Sequence, residues 1–283
     1  MPASAPGHPQ LHDVVIVGGG LVGASLAIAL DRIGLDVALV EATPSGALPP
    51  VFDERNLSFA DASINALTAL GVMQKLRCPP GPIRRIHVSR IGDFGRVRLE
   101  ATDYGRAAFG AVVVARDFGD ALEARLQELV HLSRHRPARF VGFEDGGAAH
   151  RIVRIADGSG EHRLLAKLVV AADGTHSSVR TTLGITAQEY DYRQTLFVSR
   201  VRAERAPDGT AYERFGDAGP TALLPRGDRH HGAIHAVASD QADAVAALDD
   251  AAFLQRLQQR FGWRLGRFLG NCLGRCGCGE SYD

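Results

Sequence analysis

Four residues near the N-terminus have the types and spacing needed to hold a phosphate and a sugar: Gly18, Gly20, Gly23 and Glu41. The first glycine permits a tight turn, the second lets a pyrophosphate approach the backbone, and the third lets a helix pack closely on a sheet. The free N–H groups and the positive dipole end of that helix attract phosphate. The carboxylate can accept hydrogen bonds from both hydroxyls of an adenosine ribose, and it would repel a 2′-phosphate.

The surrounding pattern predicts the elements that must position these residues. The apolar runs 14–17 and 37–40 indicate two buried parallel strands, and the segment between them indicates a helix. The order and spacing are those of a dinucleotide-binding unit: a strand, a glycine turn, a helix, a second strand and an acidic residue at its end. We therefore expect an α/β, Rossmann-like domain with a dinucleotide site. The motif does not separate FAD from NAD, and glycines that serve packing alone are the alternative.

A second acid and glycine, Asp173 and Gly174, follow another apolar run at 168–172. Residues at the carboxyl end of a buried strand lie on the ligand side of an open α/β sheet. This position predicts a second contact with the same ligand. Asp173 also has the spacing to cap the helix that follows it, which is the structural alternative.

The remaining pattern predicts helices at 61–70, 117–130 and 249–261, and a β-hairpin that pairs 83–88 with 96–100. A strand is expected at 111–115, followed directly by Arg116, and an antiparallel meander at 138–156 and 162–170. Four further strands occur without helices between them, at 194–203, 211–215, 222–225 and 232–238. They predict a second, antiparallel sheet.

Bulk properties exclude several function classes. The 283 residues contain 32 basic and 32 acidic side chains, so no general attraction to nucleic acid is expected. No apolar run reaches the roughly 18–20 residues of a membrane helix, and the first 13 residues lack the features of a secretory signal. We expect a cytoplasmic protein, with peripheral contact at the inner membrane left open. The four cysteines lack zinc-site spacing, so no metal is expected.

Several motifs together resemble the class A flavoprotein aromatic hydroxylases. They are the glycine fingerprint, the segment 52–55 that ends in Arg55, the strand that runs into 173–177, and the antiparallel second sheet. The sequence segments 212–215, 219–225 and 261–266 most resemble those of one branch of that family, the enzymes that hydroxylate polyprenylated methoxyphenols in ubiquinone biosynthesis. The resemblance covers about residues 12 to 268.

The resemblance implies FAD in the site at Gly18 to Glu41 and NAD(P)H as co-substrate. It implies that Asp173 and Gly174 contact the FAD pyrophosphate, and that Arg55 and Arg116 contact the flavin. It further implies a discontinuous FAD-binding domain at 10–80 and 108–187, and a substrate domain at 81–107 and 188–265. No side chain is assigned as a catalytic acid or base, because the cofactor carries the chemistry.

The implied function is the hydroxylation of a polyprenylated methoxyphenol with NAD(P)H and O2. The implied partners are that phenol and, as an open possibility, the membrane surface or other enzymes of the ubiquinone pathway. A non-catalytic nucleotide-binding remnant and an NAD-dependent dehydrogenase are the two alternatives. The dehydrogenase would need an acid or base beside a nicotinamide, and no such constellation stands out in the sequence.

The sequence departs from the family pattern after Phe268. The family's third flavin motif is absent, and residues 266–283 shift abruptly to glycine, cysteine and arginine. We interpret this segment as an aberrant tail in place of the family's continuation. The expected consequences are reduced activity, weak retention of FAD and poor solubility.

Overall fold

The computed structural model describes residues 10–44, 55–145, 147 and 149–278, with the backbone alone for 271–278. The described residues fall into two compact units. The first takes residues 10–44, 70–75 and 119–188, and the second takes 55–69, 76–118 and 189–278. The segment 52–54 of the resemblance lies outside the described residues.

The first unit is built on a six-stranded sheet in the order β8-β2-β1-β11-β10-β9. Its strands are β1 Leu11–Val17, β2 Val37–Val40, β8 Leu132–His135, β9 Arg139–Asp145, β10 Arg151–Asp157 and β11 Gly160–Ala171. The first three and β11 are parallel, whereas β10 and β9 are antiparallel additions. The helices are α1 Leu21–Asp31 and α4 Ser178–Thr182, and α3 Ala115–Leu126 ends in this unit.

The core of the first unit forms because β1 and β2 carry apolar side chains on both faces. Val15, Val17, Ala38 and Val40 are almost completely buried and belong to one cluster with residues of β10 and β11. A parallel strand that is covered on both faces requires this continuous apolar run. The predicted strand at 168–172 proves to be the end of the twelve-residue β11. Leu168 is 56% exposed, so this part of the strand is not buried as predicted.

The second unit contains a seven-stranded sheet in the order β16-β12-β15-β14-β13-β5-β6, and a three-stranded sheet in the order β3-β7-β4. The smaller sheet is formed by β3 Asn56–Ala60, β4 Gly81–Ile83 and β7 Gly110–Val114. The larger sheet is formed by β5 Arg85–Arg90, β6 Val97–Glu100, β12 Gln194–Ala203, β13 Thr210–Gly216, β14 Gly219–Pro225, β15 His231–Ala238 and β16 Phe268–Cys278. The helices are α2 Asp61–Ala69, α5 Ala242–Ala246 and α6 Asp250–Phe261.

Helix α6 covers one face of the larger sheet. Its buried side chains Phe253, Leu257 and Phe261 recur at helical spacing and pack against strands β12, β14 and β15. The Asp249 carboxylate caps the helix by accepting the N–H of Ala252 at 2.7 Å. The predicted helix at 249–261 is present, and the four strands predicted between 194 and 238 pair antiparallel as predicted. Strand β5 joins them through a parallel pairing with β13.

Three segments of the range predicted for the FAD-binding domain, residues 55–69, 76–80 and 108–118, belong to the second unit. Strand β7 pairs with both β3 and β4, which joins these segments in one small sheet. The segment interpreted as an aberrant tail contributes β16, which pairs antiparallel with β12 from Leu196 to Ala203. The hydrogen bonds of this pairing are made by the backbone, so they form without the alternation of apolar and polar residues from which a strand is predicted. Residues 279–283 lie outside the described part of the chain.

Candidate dinucleotide site

The turn after β1 brings the predicted glycines onto the carboxyl edge of the parallel sheet. Gly18 adopts a φ of 103°, which disfavours any side chain, and its N–H donates to the Val40 carbonyl at 2.8 Å. A Cβ at this position would lie 2.2 Å from the Ala172 carbonyl oxygen. A Cβ on Gly23 would lie 1.9 Å from the Gly18 carbonyl oxygen. Both glycines are therefore required for the packing of α1 against the sheet.

Gly20 differs from its two neighbours in the motif. It caps the N-terminus of α1 with no side chain, and a Cβ added to it would meet nothing within 4 Å. Its carbonyl accepts the N–H of Ala24 at 2.9 Å, so the helical hydrogen bonding starts here. The space in front of this glycine is open to a ligand. A phosphate placed there would face the free N–H groups of the first helical turn.

Glu41 is held at the end of β2 by its backbone and by both carboxylate oxygens. Oε2 accepts the Gly19 N–H at 2.7 Å, and Oε1 accepts the Thr43 N–H at 2.6 Å. The backbone N–H donates to the His135 carbonyl at 3.0 Å, which keeps β2 paired with β8 to its last residue. A carboxylate has about four acceptor positions, so lone pairs remain for sugar hydroxyls. These contacts fix the orientation of the carboxylate and close the glycine turn.

Asp173 has a structural role in this fold. Its Oδ1 accepts the Ser177 hydroxyl at 2.6 Å, and its Oδ2 accepts the Val179 N–H at 3.1 Å at the start of α4. The capping interaction that the sequence offered as an alternative is therefore present. Gly174, with a φ of 83° and open space around its Cβ position, presents bare backbone.

A cavity of about 460 Å³ lies at this edge of the sheet. Five of the predicted residues line it: Gly18, Gly20, Glu41, Asp173 and Gly174. Gly23 is not in the lining. The sequence reading missed Ala42, Ala138, Arg139, Phe140 and Ser178, which complete the wall with Val17, Val40 and Ala172. Residues 138–140 reach the cavity because β8 pairs with β2, and the Ala138 N–H donates to the Glu41 carbonyl at 2.8 Å.

An arginine clamp holds the loop that follows Glu41. The Nε of Arg136 donates to the Thr43 carbonyl at 2.6 Å, and its Nη2 donates to the Pro44 carbonyl at 3.0 Å. The Glu123 carboxylate accepts from Arg136 at 3.3 Å and from Arg134 at 2.8 Å. Burial alone would raise the pKa of Glu123, but the two guanidinium groups bring it below its ordinary value. The clamp therefore stays charged near neutral pH and fixes the loop whose N–H orients Glu41.

The two predicted flavin contacts lie in the second unit. Arg55 precedes β3 and is half-buried, whereas Arg116 is the second residue of α3 and is exposed. The Ala115 N–H donates to the Arg55 carbonyl at 2.9 Å, so the β3–β7 pair places the two arginines at the same end of the smaller sheet. Their contact with a flavin stays a prediction.

The first unit has what a dinucleotide requires. An open glycine at a helix N-terminus provides the phosphate cradle, and an oriented carboxylate at the end of the next strand provides the ribose partner. The cavity volume is within the range of small-molecule sites. The residues present therefore fit the adenosine diphosphate part of FAD. Within the described residues no group of three or more potential metal ligands occurs.

The fold and the site define the class: this is a Rossmann-like dinucleotide-binding protein with an added antiparallel-sheet unit. Residues 12–267 match the family described as FAD binding domain, and the chain belongs to this family. FAD is the cofactor of the family. Among the described residues no helix has the length and apolar content needed to cross a bilayer.

Curated relatives include an uncharacterized protein and two proteins named as hydroxylases. The chain is 32% identical over 257 residues to an uncharacterized protein from Synechocystis, covering 90% of this chain and 61% of the relative. It is 33% identical over 261 residues to a ubiquinone hydroxylase from Rhodospirillum rubrum, covering 91% and 59%. It is 28% identical over 225 residues to the 3-demethoxyubiquinol 3-hydroxylase of Escherichia coli, covering 76% and 55%. The chain thus spans about 60% of the length of the first two relatives.

Solved structures show the same fold at lower sequence identity. A probable FAD-dependent monooxygenase from Pseudomonas aeruginosa superposes with a TM-score of 0.75 at 20% identity, covering 94% of this chain and 74% of that one. A p-nitrophenol 4-monooxygenase from Pseudomonas putida superposes with a TM-score of 0.71 at 18% identity, covering 92% and 64%. The predicted fold class is confirmed.

Proposed function

We propose that the chain acts as a FAD-dependent monooxygenase that hydroxylates a polyprenylated methoxyphenol in ubiquinone biosynthesis, with NAD(P)H and O2 as co-substrates. The observation that carries the proposal is the cradle formed by the open Gly20 and the doubly anchored Glu41. The substrate class is supported by relatives named as ubiquinone hydroxylases, and the reaction class by the monooxygenases that share the fold.

The residues of the first unit take defined roles toward the cofactor. The turn at Gly18 and the N-terminus of α1 beyond Gly20 hold the pyrophosphate, and Glu41 accepts the ribose hydroxyls. Gly174 offers backbone to the ligand while Asp173 keeps the start of α4 in place. FAD, when bound, accepts electrons from NAD(P)H and activates O2 toward the phenol ring. Arg55 and Arg116 contact the flavin in this proposal.

The second unit is proposed to bind the phenol. Its seven-stranded sheet includes the strands between 194 and 238, which are the candidate wall of the substrate site in this proposal. A polyprenyl chain is insoluble in water, so the substrate is delivered from a lipid phase. We therefore propose that the protein contacts the membrane peripherally.

Turnover with a polyprenylated methoxyphenol tests the proposal. The purified chain is supplied with FAD, NADH or NADPH, and a short-prenyl analogue, and NAD(P)H loss and hydroxylated product are followed together. Product in proportion to NAD(P)H oxidised supports a monooxygenase. Reduction or oxidation of an alcohol without a flavin requirement would instead indicate a nicotinamide-dependent dehydrogenase. FAD binding with neither activity would indicate a nucleotide-binding protein without the proposed function.

A further inference from the structure

The hairpin of strands β5 and β6 presents apolar side chains that nothing in the described chain covers. Its connecting segment, residues 91–96, places Phe94 at a relative exposure of 108%. Val97 is 57% exposed and Ile91 is 36% exposed on the same hairpin. Phe215, 43% exposed on the neighbouring strand β13, lines the same shallow cavity of about 580 Å³ as Phe94 and Val97. An exposed apolar cluster of this kind usually marks an interaction surface.

The hairpin is also strongly basic. Residues 84–98 contain five arginines and a single acid, Asp93, in a chain whose overall formal charge is zero. Arg85 is neutralised by Asp208 and Glu100, but Arg96 and Arg98 are exposed and form no ion pair among the described residues. Arg90 pairs with Asp93 and with Asp217, each at 3.8 Å. The local charge is therefore positive.

A second basic and aromatic segment adjoins the hairpin. His87 lies opposite Arg98 in the β5–β6 pair and opposite Tyr212 in the β5–β13 pair. Burial lowers the pKa of His87. Three nearby guanidinium groups lower it further, those of Arg264, Arg98 and Arg96. Arg264 forms no ion pair among the described residues, and it is preceded by Trp263, which is 67% exposed.

We infer that this basic hairpin surface, formed by Phe94, Arg96, Arg98, Trp263 and Arg264, docks on an anionic phospholipid bilayer. Phenylalanine and tryptophan insert at the boundary between headgroups and acyl chains, and arginine attracts anionic headgroups across a few ångströms of water. The positive arginines complement the negative lipid headgroups. The exposed aromatic side chains between them favour a bilayer as the partner, because a fully hydrated polyanion offers no apolar layer for them to enter. The inference rests on the proposed function in that the prenyl chain of the substrate resides in the bilayer.

Vesicle binding of the 283-residue chain without FAD or substrate tests this surface. We would sediment the protein with vesicles of phosphatidylcholine alone and with vesicles that also contain phosphatidylglycerol. Trp263 is the sole tryptophan of the chain, so its fluorescence reports directly on the proposed surface. Binding to the anionic vesicles with a blue shift of Trp263 emission is expected, and salt should weaken it.

The variants identify the residues responsible. Phe94→Ser is expected to weaken vesicle binding about tenfold. The double variant Arg96→Gln/Arg98→Gln should lower affinity roughly fivefold per arginine. Matched controls in the first unit are Val130→Ser, at a position 82% exposed, and Arg151→Gln, at an exposed position. Both should bind as the unsubstituted chain does, and circular dichroism confirms that each variant is folded.

Three results would overturn the inference. One is no binding to anionic vesicles by the folded protein. Another is binding that the hairpin variants and the controls change equally. The third is equal binding to heparin with no shift of Trp263 emission, which would identify a polyanion surface in place of a membrane surface. FAD binding is measured separately, so the cofactor proposal and the membrane proposal can fail independently.

Discussion

At the residue scale, the glycines of the fingerprint divide into two groups with different functions. Gly18 and Gly23 lie where a Cβ would collide with backbone oxygens at 2.2 and 1.9 Å. Gly20 lies where a Cβ would meet open space. The first two are therefore needed by the fold, whereas the third leaves open the space in which we propose that the phosphate binds, although the motif presents all three as equivalent.

Alanine substitutions separate these two roles. Gly20→Ala is expected to fold with nearly unchanged thermal stability, because the φ of −67° and ψ of −169° suit alanine and the site is open. It should lose FAD affinity, because the methyl group occupies the phosphate approach. Gly23→Ala should destabilise the chain by about 1–3 kcal/mol or more, since α1 must move away from the turn. Thermal melts and FAD titrations of both variants check this, and equal behaviour of the two would contradict it.

The negative charge of Glu41 is the feature that we propose attracts the ribose hydroxyls. Glu41→Gln keeps an amide oxygen for one backbone N–H but removes the negative charge that favours ribose hydroxyls. We expect FAD and ADP affinity to fall about tenfold, in line with one charged hydrogen bond. Glu144→Gln is the control, because Glu144 is a half-buried carboxylate of the same sheet that pairs with Arg163. Calorimetric titration with ADP measures both, and unchanged affinity in Glu41→Gln would show that the ribose assignment is wrong.

At the element scale, the loop after β2 is positioned by a side chain from the far end of β8. Arg136 is anchored by Glu123 and holds the carbonyls of Thr43 and Pro44, while the Thr43 N–H donates to Glu41. The carboxylate therefore depends on a guanidinium group that does not line the cavity. This dependence makes Arg136 a positioning residue for the adenosine end of the site.

Loss of the clamp has two expected effects. Arg136→Gln should lower FAD and ADP affinity roughly tenfold, because the loop that orients Glu41 loses charged hydrogen bonds. Hydrogen exchange of the Thr43 amide should accelerate in the absence of ligand, a readout that does not depend on activity. Arg163→Gln serves as control, since it removes an exposed arginine–carboxylate pair in the same unit. Unchanged exchange at Thr43 together with unchanged affinity would exclude the positioning role.

Strand β15 carries two buried histidines that make the stability of the second unit depend on pH. Burial lowers the pKa of His231 to about 4. Burial, followed by the charges of Arg256 and Arg260, lowers the pKa of His235 to about 4. The His235 ring accepts from Arg256 at 3.3 Å and pairs with the Thr221 hydroxyl at 2.9 Å, an arrangement that needs the neutral ring. The sequence places these histidines in or near a hairpin, which favours a surface position, but both side chains are buried.

The sign of the pH effect follows from these depressed pKa values. The unfolded chain protonates these rings below about pH 6.5, whereas the folded chain does so only near pH 4. Stability should therefore be full above pH 6.5 and should fall by on the order of 2 kcal/mol per histidine as the pH drops to about 4. Urea unfolding of His235→Gln should show a shallower pH slope, and His131→Gln, at an exposed position, should keep the original slope. A steep slope in both variants would contradict the assignment.

The elements that the sequence predicts well are those whose signal lies in neighbouring residues. Strand β2 was placed at 37–40 from four consecutive apolar residues, all of which are buried, and the ends of α6 were placed to within one residue. The cavity wall at Ala138 to Phe140 was missed because it depends on strand order, which local periodicity does not encode. Strand β16 was missed for a related reason, since its glycine-rich and cysteine-rich sequence lacks alternation and its pairing with β12 is made by backbone.

At the scale of the whole molecule, two units with different sheets carry different parts of the proposed function. The first holds a complete cradle for the adenosine diphosphate part of FAD, built from residues of that unit alone. The second provides the antiparallel sheet and the basic hairpin. The chain spans 61% and 59% of two curated relatives, so the activity of the whole relatives is a proposal here. The cradle of the first unit supports the nucleotide-binding part of that proposal.

Equilibrium titration of the purified chain with FAD, in the presence and absence of ADP, tests the central claim most directly. The geometry predicts saturable binding of one FAD per chain, competition by ADP through the cradle at Gly20 and Glu41, and no competition by riboflavin at the same concentration. Flavin fluorescence and absorbance report both results. Absence of saturable FAD binding, or FAD binding that ADP does not displace, would contradict the assignment of this edge of the sheet as the cofactor site.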